Sequence, residues 1–438
     1  YQLHFKLTTT NLFEKAHQYL QGLFCVERSK RNIERMTEKT NSDYQSHQHF
    51  ITDSPWNAKE LMLDIAKKVN RDLGEFKLQS LNIDENSTRK SGKNSVGVSK
   101  QYNGNMGKLE NSQTGVFASL GKGDLVCQVS AKLFLPKEWV EDEQRCRKAG
   151  IPKSEMVLKT KLDLALELIK EIDSCGVQYG WIGADSLYGQ SYEFTDAIDK
   201  MGKKFVLDVK KNQHIYTEKP NIIAEQKGKR TSYKIINGVG SVTVEKLYQD
   251  IDYKSFTYVA WRKGTKGWLK AMFRVIKVWV WDKQSENAKE RLLIIRKDKN
   301  NLKFSLTNFT EREVSLEELA YMQGQRYWIE RCFQENIGEL GMTDYQVRKY
   351  NAWYHHMALV MLAMHYILKK RIRHKNDIPL LSTRDIRLQL MEILVNNGNK
   401  IEEEVLRMLY RHKQRQQDID RHYKYRPGEN LSLHPPST

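Results

Sequence analysis

The stretch Ser80–Asn86, SLNIDEN, sets the reading of the chain. Leu81 and Ile83 alternate with polar residues, and the run ends on a carboxylate, Asp84, which is the pattern of a short half-buried strand. A polar turn rich in Lys and Gly follows (STRKSGKNS), then a second strand-like run, SVGVSKQY. An Asp at a strand end most often caps a turn, so Asp84 alone assigns no chemistry.

Downstream, NSQTGVFASLG and LVCQVSAKLFL continue the alternation between the turns NGNMG and GKGD, which predicts an antiparallel meander. A charged loop, Pro136 to Pro152, leads to a helix predicted over Leu158–Cys175 and stopped by Gly176. A short apolar strand, QYGWIGAD, ends on Asp185; a helix, SYEFTDAIDKMG, and a strand, KFVLDVK, follow. Antiparallel strands, then helix, strand, helix, strand, is the element order of a ribonuclease-H-like mixed sheet, so a mixed α/β fold is expected.

Residues 212–310 depart from that order. They are mostly β in character and, at about 100 residues, too long for a loop, so they read as a β-rich insertion domain. The segment carries Trp261, Trp268, Trp279 and Trp281 among Arg262, Lys263, Lys266 and Lys270. Aromatics interleaved with basic residues can stack on and clamp DNA, although such tryptophans are more often core. Helical signals resume at Ser315, where SLEE is a capping box opening a run to Gly341 with Gly324 as a candidate break. The apolar helix AWYHHMALVMLAMHYILKK comes next, and the chain stays helical and increasingly basic to Arg426. The last residues, rich in Pro and Ser, are expected to be disordered.

Upstream, Asn11 or Thr10 can cap LFEKAHQYLQGLF, and Ser54 can cap SPWNAKELMLDIAKKV with Pro55 at its first position. With the basic segment Arg28–Arg35 this reads as a helical DNA-binding domain, a plain helical support being the alternative. The expected division is therefore 1–76 helical, 77–211 and 311–372 the two parts of a catalytic domain, 212–310 the insertion, and 373–438 a basic helical C-terminal region.

The composition agrees with a large folded protein that meets a polyanion. Among 438 residues, 39% are hydrophobic and 72 Lys and Arg face 54 Asp and Glu, a net charge of +18. No stretch approaches the ~20 apolar residues of a spanning helix. Cys25, Cys127, Cys146, Cys175 and Cys332 form no CxxC, which argues against a zinc ribbon or a disulfide framework and for a reducing cytoplasm.

Asp84 gains weight from two other carboxylates. Phosphoryl transfer by two metal ions needs several carboxylates converging on one point, and hard cations such as Mg²⁺ prefer oxygen ligands. Asp84 ends one strand, Asp185 ends a strand expected beside it, and Glu330 lies on the helix after the insertion. These three are the candidate catalytic and metal-ligating residues. Arg326, four residues before Glu330, projects from the same helix face and suits a phosphate. Glu335 and Glu339 are rivals to Glu330, with Glu335 ranked second.

The segments GLFCVERSKRNIERM, QHFITDSPWN, LNIDENSTRKSGKNSVGVSKQYNGNMGKLENSQTGVF, LPKEWVEDEQRCRKAGIP, WIGADSLYG, RYWIERCFQENIGELGMTDYQVRKYNAW and HHMAL together resemble bacterial insertion-sequence transposases of the DDE class. The resemblance is to the branch whose ribonuclease-H-like catalytic domain is split by a β-rich insertion, and it runs from about residue 10 to 370. It implies that Asp84, Asp185 and Glu330 are the first, second and third catalytic carboxylates, and that Arg326 contacts DNA phosphate. It also implies Mg²⁺, or Mn²⁺ in its place, as two ions; double-stranded DNA, both transposon ends and target, as partner; a homodimer on that DNA; and a nucleoid-associated, cytoplasmic location. Water would attack first at the element's end, and the freed 3′-OH second.

The family often has a Tyr three residues before the Arg and a Lys seven after the Glu; here these positions hold Gln323 and Ile337. Arg348 or Lys349 are candidates to compensate, Trp261 or Trp268 to stack on a base at the end, and Lys90 and Lys93 in the turn after Asp84 to contact DNA. Two other readings are a transposase-derived DNA-binding protein without cleavage and a different ribonuclease-H-like nuclease. The insertion fits the latter poorly.

Overall fold

The structure, a computed structural model, describes residues 1–424 except 229, 265–266, 300 and 396–399. Lys266 and the expected disordered tail lie outside the described residues. Among the described residues one ten-stranded mixed sheet runs through the molecule. Its strands are β1 (Ser80–Arg89), β2 (Ser99–Asn103), β3 (Lys108–Lys122), β4 (Leu125–Leu133), β5 (Trp181–Ala184), β6 (Phe205–Val209), β7 (Thr257–Gly264), β8 (Gly267–Val280), β9 (Lys289–Lys297) and β10 (Leu302–Thr307). The order is β7-β8-β9-β10-β6-β5-β1-β3-β2, with β4 also paired to β3.

The meander β1–β3–β4 is antiparallel, whereas β5 and β6 join it in parallel, each reached through a helical crossover. Helices α1 (Phe13–Cys25) and α2 (Ala58–Leu73) precede the sheet, and the first crossover is α3 (Lys161–Ser174), which starts at a capping box between Thr160 and Asp163. The strands of the β-rich insertion are not a sheet apart. β10 pairs antiparallel with β6, Ser305 opposite Asp208, and carries β9, β8 and β7 outward from it. Alternation within each run was visible in the sequence; that its last strand would hydrogen-bond to β6, about a hundred residues upstream, was not.

After the insertion come α4 (Leu316–Gln325), α5 (Tyr327–Leu340), α6 (Tyr350–Arg373), α7 (Thr383–Val395) and α8 (Ile401–Lys424). The Ser315–Glu318 capping box forms as expected. The expected single run divides at Arg326 rather than at Gly324. Gly324 has another use: a Cβ there would lie 2.8 Å from the Trp261 ring, so the glycine lets α4 close onto β7. At the N-terminus, Asn57 caps α2, its side chain accepting from the Glu60 amide, three residues beyond the expected Ser54.

Among the described residues three apolar clusters pack on the sheet, and two of them flank β5 and β6. On one face Leu81, Ile83, Ile182 and Leu207 join α1, α2, α5 and α6 in one cluster, so the N-terminal helices share the core of the sheet. On the other face Trp181 and Val206 pack with Val259, Trp261, Phe273, Leu319 and Ala320, fastening α4 over the junction of β5, β6 and the insertion strands. α6 is buried nearly all round, and its histidines are hydrogen-bonded: His365 Nε2 lies 2.8 Å from Asp72 and His356 Nδ1 2.8 Å from the Tyr19 hydroxyl. All five cysteines are free. Among the described residues no helix is long and apolar enough to cross a membrane.

Candidate active site

The register of three adjacent parallel strands builds the site. Asn82 pairs with Gly183 and Gly183 with Val206; one step further Ile83 pairs with Ala184 and Ala184 with Leu207. The next residues are Asp84, Asp185 and Asp208. Side chains alternate faces along a strand, so the three carboxylates form a row across neighbouring strands about 4.8 Å apart, on the face that α4 covers. The row beneath leaves little room: a Cβ on Gly183 would fall 2.3 Å from Asn82 Oδ1. Asp185 also caps the short helix Ser186–Gly189, its Oδ1 accepting from the Leu187 amide at 2.9 Å, so the capping and site readings hold together. Asp84 Oδ1 accepts from the Glu85 amide at 2.8 Å.

Burial dominates the electrostatics. It pushes Asp84 up to about 8, against the pull of Arg326 and with the repulsion of Asp185 and Glu85. Burial also raises Asp185, with Glu85 adding to it. Glu85 itself is compensated on the other side of the strand, by Lys161 at 2.9 Å and the Tyr188 hydroxyl at 3.0 Å. The Asp84–Asp185 pair is thus a place where negative charge is costly and a cation is wanted.

Arg326 is the cation present, and it comes from the junction of α4 and α5. Its Nε stands 2.8 Å from Asp208 Oδ2, its Nη1 3.8 Å from Asp84 Oδ2, and its Nη2 2.5 Å from Glu330 Oε1. The Asp208 approach is off the N–H axis, so it is an ion pair rather than a linear hydrogen bond. Burial works against the guanidinium charge, but Asp208, then Glu330, Asp84 and Asp185, outweigh it and hold the group charged.

Among the described residues no three His, Cys, Asp or Glu side chains stand together closely enough to hold a metal ion. Asp84 and Asp185 fit a hard divalent cation by donor type and by a burial that Arg326 offsets only in part. Glu330, its side chain 46% exposed at the rim, is engaged with Arg326. The structure therefore brings the first two expected carboxylates together and sets the third beside them on the arginine.

The other candidates are spread more widely. Glu335 pairs with Arg331 and accepts from Thr383, and Glu339 pairs with Arg387, so both rivals of Glu330 fasten neighbouring helices. Ile337 packs against the main core. Lys90 turns inward, its ammonium 3.6 Å above the Tyr345 ring and donating to the Tyr345 carbonyl, and burial pulls it down to about 8. Lys93 and Arg348 are exposed. Lys349 pairs with Asp53 at 2.5 Å. Trp261 is buried at 7% exposure between Gly324 and the Arg296 guanidinium, whereas Trp268 is 43% exposed.

Asp208 was missed in the sequence. The signal was there: in KFVLDVK it is the one carboxylate in an apolar strand, on the same face as Val206. Recognising it required placing that strand beside the one ending in Asp185. Ser305, which donates to Asp208, and Gln323, which donates to Ser305, cannot be linked to it without the β10–β6 pairing.

Comparison with known proteins agrees with this arrangement. A family model described as "DDE superfamily endonuclease" matches residues 2–268, more than half the chain, including Asp84 and Asp185 and ending before Glu330. The chain is also 22% identical over 341 residues to a protein of Microchaete diplosiphon described as "Probable transposase for insertion sequence element IS701", covering 77% of each. The row of partly buried aspartates on a mixed α/β sheet and the extent of the family match lead to one assignment: this chain is a member of the DDE superfamily of endonucleases, a class that uses divalent metal ions to cut DNA.

Proposed function

We propose that the protein is a DNA transposase that binds the terminal inverted repeats of its own element as a homodimer at the nucleoid, cleaves them, and transfers the freed ends to target DNA. The observation that carries this reading is the in-register pair Asp84 and Asp185 beneath the Arg326–Glu330 bridge. The Microchaete diplosiphon relative supports it.

Asp84, Asp185 and Glu330 would hold two Mg²⁺ ions, for which Mn²⁺ can substitute, and these supply an activated water and charge stabilisation at the phosphate. Asp84 lies within β1, which runs on to Arg89 rather than ending at the carboxylate as expected, and Asp185 directly follows β5, so backbone pairing presents the pair with little freedom. Arg326 offers a planar fork of donors suited to the scissile phosphate. Glu330 is on a helix at the rim and can exchange partners without disturbing the sheet. The excess positive charge gathers DNA, with affinity that falls as salt rises.

The test is a plasmid carrying the coding region with its flanking repeats, incubated with the protein in Mg²⁺ or in EDTA. Cutting at the repeats in Mg²⁺ alone is expected; absence of cutting at any divalent metal concentration overturns the reading. End binding without cutting would favour a transposase-derived DNA-binding protein instead, a second reading favoured by the engagement of Glu330 with Arg326.

A further inference from the structure

We propose that Asp208 is a positioning residue that holds Arg326 by its Nε edge and so aims its two Nη groups at the phosphate-binding side of the Asp84–Asp185 pair; the inference rests on the reading that this site cleaves phosphodiesters. Asp208 stands next in the row after Asp185, so a carboxylate there has two available roles, cation ligand or anchor. Its partners select the second. Oδ2 faces Arg326 Nε at 2.8 Å, and Oδ1 accepts from the Ser305 hydroxyl at 2.7 Å, so both oxygens are engaged.

The Ser305 proton has a fixed direction. The Ser305 oxygen accepts from Gln323 Nε2 at 2.9 Å, and its single hydroxyl proton goes to Asp208. Ser305 is fully buried and Gln323 nearly so, hence the relay is shielded from water. It runs from α4 through β10 to β6 and returns to Arg326, one helical turn beyond Gln323. A guanidinium has five donors in a rigid plane. The ion pair with Asp208 tethers the Nε edge by charge and proximity, and the Nη groups then reach Asp84 at 3.8 Å and Glu330 at 2.5 Å. Without Asp208, the long side chain is left to choose among competing carboxylates. Gln323, which stands where the family often has a Tyr, thereby acquires a physical role in this chain.

The experiment is a double-mutant cycle. Asp208→Asn keeps the shape and an acceptor for Ser305 but removes the charge; Arg326→Ala and the double variant complete the cycle, and Gln323→Met cuts the relay without changing charge. Binding is measured without divalent metal to two end duplexes, one natural and one with a neutral methylphosphonate at the scissile position. The wild type is expected to prefer the natural duplex by about tenfold, a ratio typical of one lost charged contact. Asp208→Asn should reduce the ratio to that of Arg326→Ala, add nothing in the Arg326→Ala background, and lower single-turnover cleavage in Mg²⁺ with little change in KM. Gln323→Met should reduce the ratio less. A partly unfolded variant lowers both affinities and leaves their ratio intact, which separates positioning from structural damage. An unchanged ratio in Asp208→Asn, or a cost that adds to that of Arg326→Ala, overturns the role of Asp208. A wild type that cleaves neither duplex and does not distinguish them overturns the functional reading, and the role of Asp208 with it.

Discussion

Asp84 and Asp185 lie side by side on parallel strands, each one residue past the Ile83–Ala184 pair. Backbone hydrogen bonds, not side-chain packing, set their spacing. Substituting either by Asn therefore leaves the scaffold in place and removes an ionisable oxygen donor from a site where charge is costly. Asp84→Asn is expected to melt no lower than the wild type, to bind end DNA comparably, and to lose at least about a hundredfold in cleavage. Melting curves, anisotropy and a nicking assay check the three parts; an active Asp84→Asn protein would remove Asp84 from the chemistry.

Gly324→Ala sets helix propensity against packing. In an exposed helix the change would gain up to about 1 kcal/mol. Here the new methyl meets the Trp261 ring at 2.8 Å, inside contact distance. A net loss of about 1–3 kcal/mol is expected in urea unfolding, because a buried indole has no room to retreat. A stabilised variant would show that α4 is not seated on Trp261.

The two tryptophans proposed to meet DNA separate by burial. Trp261→Ala empties part of the core shared by β7 and α4 and should cost about 3–5 kcal/mol of stability. Trp268→Ala, at a half-exposed position, should barely shift the melting temperature and weaken end binding by about 1–3 kcal/mol if a base stacks there. Equal effects of the two variants on stability and binding would contradict the assignment.

Acid should unfold the protein partly through His356. Burial, with Lys90 adding to it, depresses His356 to about 3, below the ordinary value near 6.5. Above 6.5 neither the native nor the unfolded imidazole carries the proton. As pH falls from 6.5 toward 3 the unfolded chain takes it up and the native state does not. Stability is thus present above 6.5 and drains below it, by about 1.4 kcal/mol per pH unit. His356→Gln should show a shallower slope over that window, whatever its absolute stability, when urea midpoints are compared between pH 6.5 and 4.5.

Much of the sheet's element order was legible because strand and helix periods differ and because Gly and Asn turns separate the runs. Asp84 and Asp185 were legible because each ends an apolar run. What could not be read was register. Asp208 is an ordinary strand residue until β6 is laid against β5, and Ser305 has no evident partner until β10 is laid against β6. Caps and breaks near close-packed aromatics were misplaced for a similar reason: Gly324 is where the indole of Trp261 approaches, a fact carried by a residue far away in sequence. Lys90, a basic residue in a polar turn, gave no sign that Tyr345 would cover it.

The pairing of β10 with β6 makes the inserted segment a poor module. Cutting the chain at its borders to obtain a smaller catalytic core would strip the outer partner from Phe205–Val209 and turn the strand bearing Asp208 into an open edge, with unpaired amides beside an apolar face. Such a fragment would stick to itself. Shortened or chimeric versions of this enzyme should instead exchange the hairpin of strands Ile222–Lys227 and Arg230–Ile235, which among the described residues form a two-stranded sheet of their own, and keep β7 to β10 whole.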